Sequence, residues 1–405
     1  MTIKLLFIGI TMGLGGTEKA LLSLLEGLDP QRFEISLLLC EHTGDLWDSI
    51  PSSVKLLPPM KNGILFTISK SNALSVWKHL SFHGKSTFFL RHPKVFSNAL
   101  CGKCGAGERL FLTLMQEAIL PFEKEFPNRR YDAVLAFSGD RTMFYLCDCI
   151  REGKKLAWLH FDYRYPPRDD TVYRQYFERC DAVISVSHAC TRLLREHFGD
   201  SVTKFLTLYN RLPCEQIRMA ADKDAVFPDP DYQGIRLLSV MRICHQKGYD
   251  RIPETLRCLR EYGYDLRWYL IGTGDPPTIR RLLRLAREQG VADALILLGS
   301  KTNPYPYFRA ADLLVLPSRY EGMAITIEEA KLLRLPYVTT RHLSAYEQQT
   351  EDAYGLLCRG DPQSIADGIR LLLEDERGRL RYRALPPPII CDNTSEKLYE
   401  IVNKL

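Results

Sequence analysis

The chain has 405 residues, 45% of them hydrophobic and 25% charged, which excludes a single small module, a disordered chain, collagen and a coiled coil, and leaves room for two or three domains with a large core. No stretch reaches the roughly 18 uninterrupted apolar residues that a membrane-spanning helix needs, and the opening MTIKLLFIGITMG lacks a small-residue cleavage site, so a cytoplasmic protein is expected. The net charge of +5 is unevenly spread: residues 61–107 hold Lys61, Lys70, Lys78, Lys85, Arg91, Lys94 and Lys103 without one Asp or Glu, interleaved with Phe66, Trp77, Phe82, Phe88, Phe89 and Phe96.

In chain order, LLFIGI, FEISLLLC, YDAVLAFS, KKLAWLHF, DAVISVS and KFLTLY predict strands before residue 212, separated by longer stretches of helical period. The segment NRLPCEQIRMAADKDAVFPDPDYQG, with Pro213, Pro228, Pro230 and Gly234, reads as a linker. The alternation then restarts with IRLLSVM, LRWYLIG, ALILLG, DLLVLPS and PYVTT, separated by LRCLREYG, IRRLLRLAREQG and ITIEEAKLLRL. Strands alternating with helices predict parallel sheets covered on both faces, hence two doubly wound α/β domains. They are expected at 1–212, with 61–107 as a basic insertion, and at 213–390. SEKLYEIVNKL, within 391–405, is expected to form a helix that crosses back to the first domain. Open parallel sheets bind ligands beyond the carboxyl ends of their strands, so two facing domains would form a cleft there.

The twelve cysteines fall mostly singly inside apolar runs, which is buried-thiol usage rather than an oxidised framework. Cys101 and Cys104 form one C-x-x-C, but Cys147-Asp-Cys149 has the wrong spacing for the second half of a zinc site.

Three segments carry chemistry. The first strand runs into TMGLGGTEKALLSLL, where Gly13, Gly15 and Gly16 let backbone approach an anion at a helix start; a tight strand-to-helix turn would use the same glycines. In SVMRICHQKGYD a strand delivers Arg242 at its carboxyl end, and Lys247 follows before a helix. A guanidinium and an ammonium so placed suit a diphosphate, or are two solvated surface cations. In ADLLVLPSRYEGMAITIEEAKLLRLPYVTT a buried strand ends at Pro317, a loop carries Ser318, Glu321 and Gly322, and a helix starting near Ala324 contains Glu329. Glu321 and Glu329 would lie about 80° out of phase on one helix, an objection that vanishes with Glu321 in the loop. Both carboxylates can then face hydroxyls of a ribose or a sugar, with the amides of Met323, Ala324 and Ile325 turned to a phosphate. The bland alternative is a Glu that favours a helix dipole and another that is merely solvated.

Taken together, G-L-G-G-T-E at 13–18, W-L-H at 158–160, R-x4-K-G at 242–248, L-I-G-T-G at 270–274, N-P-Y-P-Y-F-R-A-A-D at 303–312 and P-S-R-Y-E-G-x6-E-A at 317–330 resemble a family 4 glycosyltransferase over nearly the whole chain. The resemblance implies the GT-B fold, two facing Rossmann-like domains with a cleft between them. It implies transfer of sugar from a nucleotide-sugar with retained anomeric configuration, in enzymes that build bacterial lipopolysaccharide core, capsule or exopolysaccharide. It places Glu329 on the ribose hydroxyls, Glu321 with Gly322 near the transferred sugar, and Arg242 and Lys247 on the diphosphate. Gly15 and Gly16 would close the phosphate end, the Gly272–Gly274 loop and Asn303 would border the base, and His160 would stand beside the sugar and the acceptor. Met241 stands where the family usually has Gly, and Met323 and Ala324 where it has Phe or Leu followed by Pro, so donor-sugar identity is not legible.

The implied mechanism is front-face substitution with no cofactor: Asp229-Pro-Asp231 sits in the proline-rich linker, where turn chemistry explains it, and no metal is expected. A nicotinamide dehydrogenase fits badly, because no acidic residue ends the second strand at the expected spacing, FEISLLLCEH offering Glu41 rather late. A nucleotide-sugar epimerase and a catalytically silent partner subunit are the alternatives on the same fold. The expected partners are a nucleotide-sugar, UDP-linked before GDP-linked, a lipid-linked or saccharide acceptor, and an anionic membrane surface met by 61–107. Nucleic acid is not expected.

Overall fold

A computed structural model describes residues 2–60, 63, 91–101, 106–114, 130–350, 354–386 and 393–405. Most of the basic segment 61–107, including Lys61, Lys70, Lys78, Lys85 and Lys103, therefore lies outside the described residues, as does Cys104. The chain divides into two units, Met1–Arg211 with Asn393–Leu405, and Leu212–Asp392.

The first unit is built on β1 (Ile3–Gly9), β2 (Phe33–Leu39), β3 (Lys55–Leu56), β4 (Ala133–Ala136), β5 (Lys154–Leu159), β6 (Ala182–Ser185) and β7 (Lys204–Thr207). They form one parallel sheet in the order β3-β2-β1-β4-β5-β6-β7. The central strands are apolar on both faces because helices cover both, and Leu6, Ile8, Val134, Ala136 and Ala157 are fully buried. The helix Thr394–Lys404 belongs to this unit: Leu398 and Val402 are buried, Arg32 pairs with Glu396 at 2.6 Å and lies 3.9 Å over the Tyr399 ring, and Lys154 donates to the Val402 carbonyl at 3.0 Å.

The second unit repeats the plan with β8 (Ile235–Val240), β9 (Leu266–Ile271), β10 (Leu295–Gly299), β11 (Leu313–Leu316), β12 (Tyr337–Thr340) and β13 (Gly355–Cys358), ordered β10-β9-β8-β11-β12-β13 and parallel throughout. Within its core one polar chain links three strands: Trp268 Nε1 donates to Ser239 Oγ at 2.9 Å, and that hydroxyl donates to the Val315 carbonyl at 2.6 Å.

Two strands go beyond the sequence expectation. β3 has two residues, too few to show an alternation, and β13 reads GLLC, without a β-branched or aromatic residue. The segment expected as linker contains the helix Cys214–Ala221, with Ile217 and Ala221 buried, and it belongs to the second unit. No helix among the described residues is long and apolar enough to cross a membrane.

Candidate functional site

β8 and β11 lie side by side where the strand order of the second sheet reverses, which is where doubly wound sheets open a ligand crevice. The loop after β8 carries Arg242, a 3-10 turn at His245–Lys247, and Gly248. Gly248 has φ +68°, and a Cβ there would lie 2.0 Å from the Pro317 carbonyl oxygen, so only glycine lets this loop touch the one after β11. The contact is reinforced by charge. Arg319 reaches both oxygens of Asp250 at 2.7 Å, donates to the His245 carbonyl at 2.9 Å, and offers its amide to the Gln246 carbonyl at 2.7 Å. Burial alone would raise the Asp250 carboxyl, but Arg319 outweighs it and holds the group below the usual range.

This staple sets Lys247 against Glu321. Lys247 Nζ is 2.6 Å from Glu321 Oε1, and Ser318 Oγ donates to the same oxygen at 2.6 Å. Glu321 is only 5% exposed. Burial pushes its carboxyl up; the charges of Lys247 and His342 and the two hydrogen bonds push it down further, so it is held ionised below the usual carboxylate range. Both bonds fall on Oε1, and an ammonium has three N–H donors, so Glu321 Oε2 and two Lys247 donors remain for a ligand. Arg242, two residues past the end of β8, is exposed and sits 3.5 Å from Gln246 Oε1.

Glu329 lies inside the helix Ile325–Leu332, is 4% exposed, and accepts a hydrogen bond from the Tyr305 hydroxyl at 3.0 Å. Glu321 and Gly322 lie in the loop before that helix. Of the helix-start amides, that of Ala324 is already used: it donates to Gln348 Oε1 at 3.2 Å, while Gln348 Nε2 donates back to the Ala324 carbonyl at 2.9 Å and to Glu328. Among the described residues no protein group accepts from the amides of Met323 or Ile325.

Three motif residues have structural work that the sequence did not indicate. Gly272 has φ +138°, and a Cβ on it would meet the Met241 carbonyl oxygen at 1.9 Å; one on Gly274 would meet that of Ile243 at 2.3 Å. These glycines let the loops after β8 and β9 pack, and Ile243 donates its amide to Thr273 at 2.7 Å. Asn303 spends both polar ends inside the unit, donating to the Ala220 carbonyl at 2.8 Å and accepting from the Tyr305 amide at 3.2 Å.

In the first unit, Gly15 caps and Gly16 begins the helix Gly16–Gly27. Gly15 has φ −81°, open to any residue, and a Cβ would meet only the flexible Glu18 carboxylate. The glycine this loop requires is Gly44, after β2: φ is +123°, and a Cβ would lie 2.2 Å from the Met12 backbone. Met12 donates to the Thr43 carbonyl and accepts from the Leu46 amide, both at 2.8 Å. His160 follows the last residue of β5, with its ring 4.4 Å from Phe137 and 5.7 Å from Trp158. Its Nε2 is buried without a hydrogen-bond partner, and desolvation lowers the imidazole to about 3, so it is neutral near pH 7. A buried polar atom left unpaired costs about 1–3 kcal/mol, which a ligand hydroxyl at that nitrogen would recover.

Sequence reasoning missed Tyr305, Gln348 and the Arg319–Asp250 staple. Tyr305 and Arg319 were visible inside NPYPYF and PSRYEG, but nothing local indicated their partners.

Residues 226–384 match the family described as "Glycosyl transferases group 1". The chain is 27% identical over 209 residues to the N-acetylgalactosamine-N,N'-diacetylbacillosaminyl-diphospho-undecaprenol 4-alpha-N-acetylgalactosaminyltransferase of Campylobacter jejuni, covering 51% of this chain and 54% of that one. It is 30% identical over 148 residues to the amylovoran biosynthesis glycosyltransferase AmsK of Erwinia amylovora, covering 34% and 36%. The chain thus spans about half, or less, of the length of these curated relatives. Its fold is similar to that of Anabaena HepE, crystallised with UDP, with a TM-score of 0.63 over 100% of both chains at 15% identity. The architecture is that of the GT-B class, two Rossmann-like parallel-sheet domains, and residues 226–384 form a glycosyltransferase domain.

Proposed function

We propose that the protein is a retaining glycosyltransferase that moves a hexose or N-acetylhexosamine from a nucleotide-sugar, most simply a UDP-sugar, to a lipid-linked or saccharide acceptor in bacterial surface polysaccharide synthesis. One observation carries this reading: the half-buried Lys247 pairs with the buried Glu321 at the strand ends of a domain that matches glycosyl transferases group 1. The names of two relatives, one specifying a diphospho-undecaprenol acceptor and one amylovoran biosynthesis, support the acceptor class, and UDP in HepE supports the donor class.

In this reading the acceptor hydroxyl attacks the anomeric carbon on the side from which the nucleotide diphosphate departs. The new carbon–oxygen bond forms as the carbon–phosphate-oxygen bond breaks, and the hydroxyl proton passes to the leaving phosphate. Lys247 and Arg242 take the growing charge, held by rigid loops and so needing little reorganisation. Glu321, ionised with Oε2 open, accepts from a sugar hydroxyl, and Glu329 accepts from the ribose diol. His160, neutral and with an unpartnered nitrogen, gives the first unit a hydrogen-bonding group of its own for a ligand hydroxyl. Work at the inner face of the cell membrane, with 61–107 as the contact, completes the proposal.

The test is a calorimetric screen of UDP- and GDP-sugars, followed by a transfer assay in which the anomeric configuration of the product is read by NMR. Binding of a nucleotide-sugar with retained configuration is expected. A product of inverted configuration, or turnover of the sugar nucleotide to its epimer without an acceptor, would overturn it.

A further inference from the structure

The NPYPYF segment contributes to the site through its first tyrosine. Pro304 and Pro306 flank Tyr305 and restrict the backbone there, while its amide donates to Asn303 Oδ1 at 3.2 Å. Asn303 is itself tied to the Ala220 carbonyl at 2.8 Å, at the end of the helix Cys214–Ala221. The tyrosine is thus anchored through its backbone, and its ring rests against Phe308 at 6.1 Å. Its hydroxyl reaches Glu329 Oε1 at 3.0 Å across 24 residues of chain. Burial, then the charge of Glu329 and the hydrogen bond to it, raise the phenol far above its ordinary range, so it stays a donor at any working pH.

A carboxylate offers about four acceptor positions on its two oxygens. With one position on Oε1 taken by a fixed phenol, the Glu329 side chain loses its freedom to rotate, and the remaining positions keep one direction. A vicinal diol needs two acceptors in a set plane, and a carboxylate held in advance avoids an ordering cost when the diol binds. We propose that Tyr305 is a positioning residue for nucleotide recognition: its hydroxyl holds the Glu329 carboxylate in the orientation that receives the ribose diol, so preference for ribose over deoxyribose depends on it. The inference rests on the reading of Glu329 as the ribose ligand.

The experiment is calorimetry on the full chain with UDP and GDP and their 2′-deoxy counterparts, for wild type, Tyr305→Phe and Glu329→Gln. Wild type is expected to bind the ribonucleotide about tenfold more tightly than the deoxynucleotide. In Tyr305→Phe the ratio is expected to shrink to about twofold to threefold, with the deoxynucleotide affinity unchanged, and in Glu329→Gln to about one. A general loosening of the fold would weaken both nucleotides alike and keep the ratio; that outcome, with wild type discriminating, overturns the role of Tyr305 and leaves Glu329 as the ribose ligand. Equal binding of both nucleotides by wild type would remove the ribose reading itself, and the inference with it.

Discussion

In the second unit the loops at the strand-order reversal are joined by charge, Lys247 to Glu321 and Arg319 to Asp250, and a phenol from beyond β10 donates to Glu329 in the helix that follows. In the first unit, built on the same parallel plan, the loops after β1 and β2 are joined by backbone, with Met12 bonded to Thr43 and Leu46 over Gly44, and β5 ends in a neutral histidine among rings. The strand order is common, so it cannot be the source of the difference. What differs is the ligand each end suits. Fixed cations on rigid strand ends match a diphosphate whose charge grows in the transition state, whereas a neutral imidazole among aromatic side chains matches hydroxyl groups.

Removing one charge from the second unit breaks this comparison most severely. Lys247→Met is expected to lower turnover by about 10²-fold or more, and to destabilise the fold by about 3–5 kcal/mol, because Glu321 is left buried without its cation. Lys247→Met with Glu321→Gln is expected to recover most of that stability and none of the activity. Urea denaturation and initial rates on the two variants separate the effects. Equal stability of the single and double variants would mean that the pair does not hold the loops together.

Glycines sharpen the contrast at the next level. Gly248→Ala and Gly44→Ala each force alanine to positive φ and onto a backbone oxygen or carbon, and each is expected to cost about 2–4 kcal/mol in denaturation experiments. Gly15→Ala meets neither obstacle and is expected to leave stability within about 0.5 kcal/mol. Its activity is expected to fall about tenfold, since an added methyl obstructs a phosphate approaching the helix start. Full activity in Gly15→Ala would reduce the loop at 13–16 to a turn.

The parallel sheets were legible because runs such as LLFIGI and DLLVLPS are buried on both faces and so apolar almost throughout. β3 has only two residues, β13 reads GLLC without the β-branched or aromatic residues that mark a strand, and the helix Cys214–Ala221 was hidden among the prolines and acids around it. Lys247, Glu321 and Glu329 could be singled out because charges at the carboxyl ends of buried strands are chemically conspicuous. Their supports could not: Arg319 finds Asp250 across 69 residues, and Ala324 finds Gln348 across 24, distances that only the fold closes. Asn303, Gly272 and Gly274 were readable as motif letters, but the carbonyls of Ala220, Met241 and Ile243 that they meet are tertiary facts.

His160 offers a smaller test of the neutral end of the comparison. Its folded value of about 3 lies below the ordinary histidine value of 6.5, so the unfolded chain takes up the proton first. The stabilisation from keeping it neutral is complete above pH 6.5 and is lost as pH falls from there toward 3, at up to about 1.4 kcal/mol per unit. Between pH 7 and 5.5 the wild type is expected to lose about 1 kcal/mol more than His160→Asn in matched denaturation curves. Identical slopes for the two proteins would show that the imidazole is not kept neutral by its surroundings. An activity limb near pH 6.5 that disappears in His160→Asn would count against it equally.

The least effect is expected from removing divalent metal. Lys247 keeps two donors beyond its bond to Glu321, and Arg242 is exposed two residues past β8, so side chains already offer positive charge to a diphosphate. Of the acids in Asp222-Lys223-Asp224 and Asp229-Pro230-Asp231, one in each run is engaged within its own unit. Asp229 accepts from Arg267 and from the Tyr269 hydroxyl, and although burial opposes it, these bonds hold its carboxyl below the usual range. Asp222 pairs with Arg309 at 2.9 Å. Recruiting Asp229 to a metal would strip the buried Tyr269 hydroxyl of its acceptor, a cost of about 1–3 kcal/mol, and would release the half-exposed Arg267. Initial rates with EDTA are therefore expected to stay within about twofold of those with added magnesium or manganese. Abolition of transfer by EDTA, restored by manganese, would mean that the diphosphate charge is met by an ion and that the cations of the second unit serve chiefly to hold its loops.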